Sequence, residues 1–140
     1  MNIHEIAANY QVTQAQAAQA AAAAAAAPKV YRALLSQTGT NAPIATVLEN
    51  TLGGEVVWSR VDTGIYSGVL AGAFTANRTF LLSEPDAFNG YTHFQQLVRA
   101  SENEVNLYTL QVNNTPQRVN VDIDDGGTPG TSVQISVYPA

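Results

Sequence analysis

The pattern of hydrophobic and polar positions changes character at Pro28. Before this residue, Ala and Gln dominate a stretch without proline or glycine, and the stretch closes in the alanine block Ala20–Ala27. After it, apolar and polar residues alternate in short runs that Gly and Pro interrupt. Alanine has the highest helix propensity, and proline disfavours helix at the residue before it. We therefore predict an N-terminal helix that stops at Pro28.

The N-terminal segment carries a series of residues at alternating spacings of three and four. This spacing is typical of the contact face of a coiled coil, and small alanine side chains let helices approach closely. Alanine buries little surface, so such a helix needs copies gathered by the region downstream, or a host surface. The alternative interpretation is a frayed, low-complexity tail. The predicted anchoring and oligomerisation residues are Ile3, Ile6, Tyr10, Ala17, Ala20 and Ala24, with Thr13 and Ala27 completing the series.

The region after Pro28 alternates as β-strands do. Asp62–Gly64 is a hairpin signal, and Trp58, Phe74 and Phe80 are expected in the core. Nine short strands at this spacing predict a mainly β fold, an antiparallel β-sandwich of jelly-roll or Greek-key type. The expected organisation is a helical segment over 1–28 and a β-sandwich head domain over 29–140. The predicted strands are 29–38, 45–52, 55–60, 65–70, 79–83, 93–100, 105–112, 119–124 and 132–138.

Composition narrows the classes of function. Charged residues make up 12% of the 140 residues, against about 25% in typical proteins, and the net charge is −5. Only six Lys and Arg are present, which argues against nucleic acid as a partner. The absence of cysteine excludes disulfides and thiolate chemistry. The N-terminal segment lacks a cationic start and contains several glutamines, so we expect neither a secretory signal nor membrane insertion.

Residues with catalytic potential are few. His4 falls in the predicted helix and His93 at the start of a predicted strand, and no nucleophile-elbow motif accompanies either. Four acidic residues would allow a glycosidase pair on paper, but solvated turns account for each of them. We therefore predict no catalytic residue, no cofactor and no enzymatic activity. These four acidic residues are Glu84, Asp86, Glu102 and Glu104.

The densest acidic cluster consists of Asp122, Asp124 and Asp125 ahead of two glycines. Carboxylates beside glycines suit calcium, but the spacing does not follow the EF-hand loop. Asp122 and Asp124 also share one face of a predicted strand, where exposure to solvent accounts for them without a metal. No metal site is assigned here, and calcium near Asp122–Asp125 is left open.

One predicted loop carries aromatic residues suited to contact with a ligand. Phe88, Asn89 and Tyr91 fall in the longest predicted loop. Aromatic rings at a loop tip stack on sugars or contact a receptor, and the alternative is that they anchor the loop. This loop is the candidate exterior contact of the head domain.

The order of helix, proline border and small Thr/Asn/Gly-rich β region resembles fibre, spike or decoration proteins of bacteriophage virions. The similarity is carried by Lys29–Pro43, Ala45–Gly54, Thr63–Gly68 and Phe74–Phe80, which resemble a module recurring in phage structural proteins. The resemblance implies a homotrimer on the capsid surface whose N-terminal segment binds the capsid or another virion protein. The chain lacks the shaft repeat of long fibres, so a short head fibre fits its sequence better than a long tail fibre. The alternative is a receptor- or glycan-binding module that contacts host surface glycan.

Overall fold

The computed structural model describes residues 2–84, 92–112, 118–123 and 131–140. The chain divides into two compact units, and each is described by itself. The first is the N-terminal segment ending at Pro28, together with Tyr138–Ala140, and the second is Lys29–Val137. The described residues form one helix and nine strands. The prediction of a mainly β chain with one N-terminal helix and antiparallel sheets is confirmed.

Helix α1 spans Ile3–Ala26, close to the predicted bounds. Its first turn is closed by a capping box: the Asn2 side chain accepts from the Glu5 N–H at 3.0 Å, and the Glu5 carboxylate accepts from the Asn2 N–H at 3.1 Å. This arrangement satisfies two backbone donors that a helix start otherwise leaves unpaired. At the other end, Ala27 has extended backbone and Pro28 follows. The helix therefore ends where the proline rule places its end.

The strands form two antiparallel sheets. They are β1 (Lys29–Ser36), β2 (Ile44–Asn50), β3 (Val57–Asp62), β4 (Ile65–Val69), β5 (Thr79–Glu84), β6 (Thr92–Arg99), β7 (Glu104–Val112), β8 (Arg118–Asn120) and β9 (Thr131–Val137). Sheet I has the order β2-β1-β9-β5, and sheet II has the order β3-β4-β7-β6, with β8 pairing the end of β7. The predicted hairpin at Asp62–Gly64 joins β3 to β4.

Inward side chains from both sheets form one hydrophobic core. Alternate residues of β1 and β9 point inward from sheet I, and alternate residues of β7 do so from sheet II, as a half-buried strand requires. The Trp58 Nε1–H donates to the Tyr31 hydroxyl at 3.1 Å, so the buried indole donor has a partner within the core. The fully buried side chains are Tyr31, Leu35, Tyr66, Phe74, Val105, Leu107 and Ile135.

Two predictions from the sequence are wrong in part, one about a core residue and one about the length of a strand. Trp58 and Phe74 are buried as predicted, but Phe80 is 53% exposed. In the β5 register Phe80 lies opposite Ser136 and shares the outward face with Leu82, because the inward position is taken by Leu81. The predicted strand at 119–124 is shorter, since regular pairing to β7 covers only Arg118–Asn120.

Candidate assembly surfaces

The first candidate surface is the helix itself, because no residue of α1 is buried. Ile3, Ile6 and Tyr10 are 76%, 53% and 65% exposed and lie within about 60° of one another around the helix axis. Val12 is also exposed, but it lies on the opposite face. The Tyr10 hydroxyl accepts from the Gln14 amide at 2.8 Å. The first half of the helix therefore carries an apolar strip, and the Gln14 amide binds the hydroxyl at its end.

The remaining predicted contact residues, Ala17, Ala20 and Ala24, are likewise exposed on α1. Gln16 and Gln19 lie near Ala17, and from Ala20 onward the helix consists of alanine alone, so its last part presents small apolar surface on every side. Large apolar side chains are therefore confined to the first half of α1, and the alanine block does not distinguish one face of the helix from another.

The second candidate surface is the outward face of sheet I. A small sheet facing water normally presents polar residues on that face. Here five large apolar side chains stand on it, one from β1, two from β2 and two from β5. Their exposed fractions lie between 37% and 67%. The five residues are Leu34, Ile44, Leu48, Phe80 and Leu82.

A β-bulge shapes this face. The pairing of β1 with β2 shifts register between Arg32 and Ala33, whose partners are Glu49 and Val47, so Leu48 is the extra residue. Leu48 then lines a groove of about 150 Å³ together with Leu34 and Leu82. The small side chain of Ser132 on β9 also lines the groove, which explains the depression between the leucines.

Charged residues flank the same groove. The Arg32 guanidinium is paired with the Glu49 carboxylate and donates through Nε to the Gln134 side chain at 3.1 Å. This pair is exposed to solvent, with side-chain exposures of 48% and 39%. Glu84 lines the groove on the β5 side. The groove therefore has the Arg32–Glu49 ion pair on one side and the Glu84 carboxylate on the other.

The outward face of sheet II is also apolar in part. Val57 and Val61 on β3 are 65% and 63% exposed, and Phe94 on β6 is 49% exposed. Glu104 and Asn106 of β7 stand between them on the central strands and interrupt the apolar surface. The Glu104 carboxylate accepts from the Ser67 hydroxyl at 2.7 Å. Glu104 is thus a half-buried strand residue, and its prediction as a solvated turn residue is wrong.

The most connected polar group of the β region is Asp122. Arg60 donates to it through Nε and Nη2 at 3.0–3.2 Å, the Gly64 N–H donates at 2.9 Å, and the Tyr66 hydroxyl lies at 3.0 Å. Its side chain is 14% exposed. The expectation that solvent exposure accounts for Asp122 is therefore wrong. Asp122 binds the segment after β8 to the β3–β4 hairpin.

Gly64 makes this approach sterically feasible. Its φ of +66° is a conformation that L side chains rarely adopt, and a Cβ built on it would lie 2.6 Å from the Thr109 carbonyl and 2.8 Å from the Val121 nitrogen. A residue with a side chain would push Val121 away from the hairpin. The glycine in the predicted hairpin signal thus serves the packing of a third segment as well as the turn.

The pKa values of this cluster follow from its geometry. Burial by itself raises the pKa of Asp122, but hydrogen bonds from Arg60, Gly64 and Tyr66 outweigh it and hold the pKa of Asp122 below its usual range. Burial raises the pKa of the Tyr66 hydroxyl, and the neighbouring Asp122 carboxylate raises it further. At neutral pH the cluster therefore contains a carboxylate, a guanidinium and a neutral phenol, each held by its neighbours.

Two buried amide atoms near this end of the core have no hydrogen-bond partner in the described part of the chain, Gln37 Nε2 and Gln95 Oε1. The other amide atom of each is used: Gln37 Oε1 lies 2.5 Å from the Tyr66 hydroxyl, and Gln95 Nε2 donates to the Thr131 hydroxyl at 2.8 Å. This end of the core is polar, whereas the opposite end is closed by aliphatic and aromatic side chains.

Several other residues that were considered as site candidates from the sequence lie away from these surfaces or outside the described residues. His4 is exposed on α1, Glu84 ends β5, and Glu102 lies in the turn before β7. The side chain of His93 and all of Asp86, Asp124 and Asp125 lie outside the described residues. The predicted contact loop, Phe88, Asn89 and Tyr91, lies outside them as well.

Within residues 2–84, 92–112, 118–123 and 131–140, no three His, Cys, Asp or Glu side chains are grouped so as to hold a metal ion. Across the same ranges, no helix combines the length and apolarity that crossing a membrane requires.

Comparison with protein-family models, with curated proteins and with solved structures finds no significant match for this chain.

Proposed function

We propose that this chain is a non-enzymatic structural protein of a bacteriophage virion, a short homotrimeric fibre or spike on the capsid surface. Its N-terminal helix binds the capsid or another virion protein and brings three copies together. Its β region folds as a sandwich of Greek-key or jelly-roll type and projects outward. The resemblance of Lys29–Gly54 and the segments after it to phage structural modules is one support for this proposal.

The observation that carries the proposal is the exposure of α1. A helix of 24 residues without a buried side chain depends for its stability on local hydrogen bonds and on the helix propensity of alanine. Ile3, Ile6 and Tyr10 nevertheless form an apolar strip on it. Such a strip is stabilised when it packs on another copy or on a different protein.

Self-association also gives each helix packing contacts with the helices of other copies. When β regions hold copies together, their helices meet at high effective concentration, so little contact area per helix is needed. The β region offers suitable surface, because two outward faces carry exposed Val, Leu, Ile and Phe side chains while charged residues are scarce. Apolar surface of this extent is typical of proteins that function in assemblies.

The first experiment is sedimentation velocity on the purified full chain. We expect a species of three times the 14.8 kDa chain mass at micromolar concentration. A single-chain species at every concentration would overturn the proposal that the protein acts as an oligomer.

The second experiment tests the anchoring role with matched helix variants. Ile6→Asp places a charge on the apolar strip, whereas Val12→Asp places the same charge on the opposite face at nearly equal exposure, 53% against 56%. We expect Ile6→Asp to abolish incorporation into phage particles, measured by quantitative mass spectrometry of purified virions, and Val12→Asp to retain it. Normal copy number with Ile6→Asp would refute anchoring through this strip.

The alternative of a receptor- or glycan-binding module stays a prediction, because its contact residues Phe88, Asn89 and Tyr91 lie outside the described residues. Binding on a glycan array that Tyr91→Ala abolishes would favour it, and an array without signal would count against it.

A further inference from the structure

We propose that the polar end of the core is a binding site for one water molecule, which joins the side chains of Gln37 and Gln95. The water accepts a hydrogen bond from the Gln37 amide nitrogen and donates one to the Gln95 carbonyl oxygen. This inference concerns the β region of a single chain, so it does not depend on the proposed function.

Each of the two amides uses one polar atom and leaves the other without a partner in the part of the chain that the structure describes. Gln37 is 7% exposed, and its Oε1 is bonded to the Tyr66 hydroxyl at 2.5 Å. Gln95 donates through Nε2 to the Thr131 hydroxyl at 2.8 Å. The remaining atoms, Gln37 Nε2 and Gln95 Oε1, are both shielded from solvent. A buried polar atom without a partner costs free energy, so nearly all such atoms in folded proteins are bonded to protein or to ordered water.

The strand register brings the two amides to the same part of the core. Leu35 of β1 lies opposite Thr131 of β9, and Gln37 follows Leu35 by two residues and is buried like it. Diagonal neighbours of this kind lie about 7–8 Å apart, within reach of long side chains. Gln95 reaches Thr131 from the other sheet. The two amides therefore approach the same space without bonding to each other directly, and a polar pair at such a separation is typically bridged by water.

The two unpaired atoms are complementary, and this determines what binds between them. Gln37 Nε2 can only donate a hydrogen bond, and Gln95 Oε1 can only accept one. A cation would be bound by the oxygen but repelled by the N–H groups, and an anion would meet the opposite conflict. The bridging group must therefore accept on one side and donate on the other. Water does both, and it is small enough for a space enclosed by buried side chains.

The water completes a chain of hydrogen bonds that crosses between the two sheets. Tyr66 on β4 and Gln95 on β6 belong to sheet II, whereas Thr131 begins β9 in sheet I and Gln37 directly follows β1 in that sheet. With the water in place, Gln37 donates to the water, the water donates to Gln95, and Gln95 donates to Thr131. Every link then has one donor and one acceptor. The polar end of the core is thereby held together by hydrogen bonds, while apolar packing holds the rest.

A crystal structure of the full wild-type chain at about 1.5 Å resolution tests the site directly. We expect an ordered water about 2.7–3.2 Å from both Gln37 Nε2 and Gln95 Oε1. The inference is overturned if a protein group occupies that place, if the two amides bond to each other, or if no ordered density lies between them. This measurement needs no substitution, so it decides the question even if a variant fails to fold.

A double-mutant cycle tests the same bridge in solution. Gln37→Met and Gln95→Met each keep the length of the side chain but remove one ligand of the water. Either change alone frees the other amide from the bridge, so the second change should cost less than it does in the wild type. In urea unfolding followed by Trp58 fluorescence, the product of the two single fold-changes in the unfolding constant should exceed the fold-change of the double variant by at least about threefold.

Gln134→Met is the matched control for the cycle. Gln134 is bonded to Arg32 and Ser136 on sheet I and shares no partner with Gln37. Combined with Gln37→Met, it should act additively, within about twofold in the unfolding constant. Additive effects for Gln37 and Gln95, or equal coupling in the control pair, would overturn the water bridge. Neither outcome bears on self-assembly, so failure here leaves the proposed function to its own tests.

Discussion

Helix α1 and the β region of Lys29–Val137 are stabilised by different means. The hydrogen bonds of the helix join residues at most four positions apart, including its capping box, and none of its residues is buried. The β region depends on contacts between distant positions: Trp58 bonds to Tyr31 across 27 positions, and Arg60 bonds to Asp122 across 62. The helix is specified by local contacts, whereas the β region is specified by long-range packing.

This difference predicts two kinds of response to substitution. A change inside the β region should alter the free energy of unfolding of the single chain. A change on α1 should alter assembly or helicity and leave the unfolding of the β region unchanged. Trp58 is the only tryptophan and lies in the β core, so its fluorescence follows the β region alone.

The largest expected loss of stability concerns Phe74, and Phe80 is its matched comparison because both were predicted to lie in the core. Phe74→Ala removes a fully buried ring and should lower the free energy of unfolding by about 3–5 kcal/mol. Phe80→Ala trims a half-exposed ring and should lower it by less than about 1 kcal/mol. Urea unfolding followed by Trp58 fluorescence measures both. Equal losses would show that Phe80 is part of the core after all.

These two residues also show how far the sequence predicts the fold. Strand positions follow from apolar alternation and from Gly and Pro between the runs, so all nine strands are found close to where they are predicted. Which face of a strand turns inward depends on register with its neighbours, which local pattern does not contain. On β5 the run Phe80-Leu81-Leu82 is apolar throughout, so alternation does not distinguish the buried Leu81 side from the outward Phe80 side.

The candidate surfaces were predictable to different degrees. The helical strip at Ile3, Ile6 and Tyr10 follows from spacing alone, because a helix places such residues on one face without help from other segments. The groove on sheet I does not, since it joins β1, β2, β5 and β9 and depends on the bulge at Leu48. The Asp122 cluster was missed for the same reason: its partners lie about sixty positions away. The local sequence signal was Arg60, a single cation just before the hairpin, which indicates a carboxylate partner such as Asp122.

A smaller effect is expected where the β region depends on charge. Asp122→Asn keeps the shape of the side chain but removes its charge, and should lower the free energy of unfolding by about 1–3 kcal/mol at neutral pH. Glu49→Gln is the matched control, because the Arg32–Glu49 pair is exposed and should contribute less than about 1 kcal/mol. A loss with Glu49→Gln as large as with Asp122→Asn would contradict the importance of burial.

The same pair of variants predicts a pH dependence. The pKa of Asp122 is lower in the folded chain than in the unfolded chain, so the unfolded chain binds more protons in acid. The stabilisation is therefore complete above the unfolded carboxyl pKa, near 4, and is lost as the pH falls below it. Denaturation measured between pH 6 and pH 3 should show a shallower loss for Asp122→Asn than for the wild type or Glu49→Gln. Parallel curves would remove Asp122 from the acid response.

The smallest effect is expected in the helix. Asn2→Ala removes the acceptor of the Glu5 N–H and should destabilise α1 by about 1 kcal/mol, because an N-terminal amide is then left without its cap. Gln11→Ala, an exposed position in the same helix, should leave helicity unchanged or raise it slightly. Far-UV circular dichroism measures helicity, and Trp58 fluorescence measures the β region in the same sample. If the helix and the β region are stabilised separately, Asn2→Ala lowers the helical signal without moving the fluorescence midpoint. A shift of that midpoint would show that the β region depends on α1, and the contrast between the two regions would then fail.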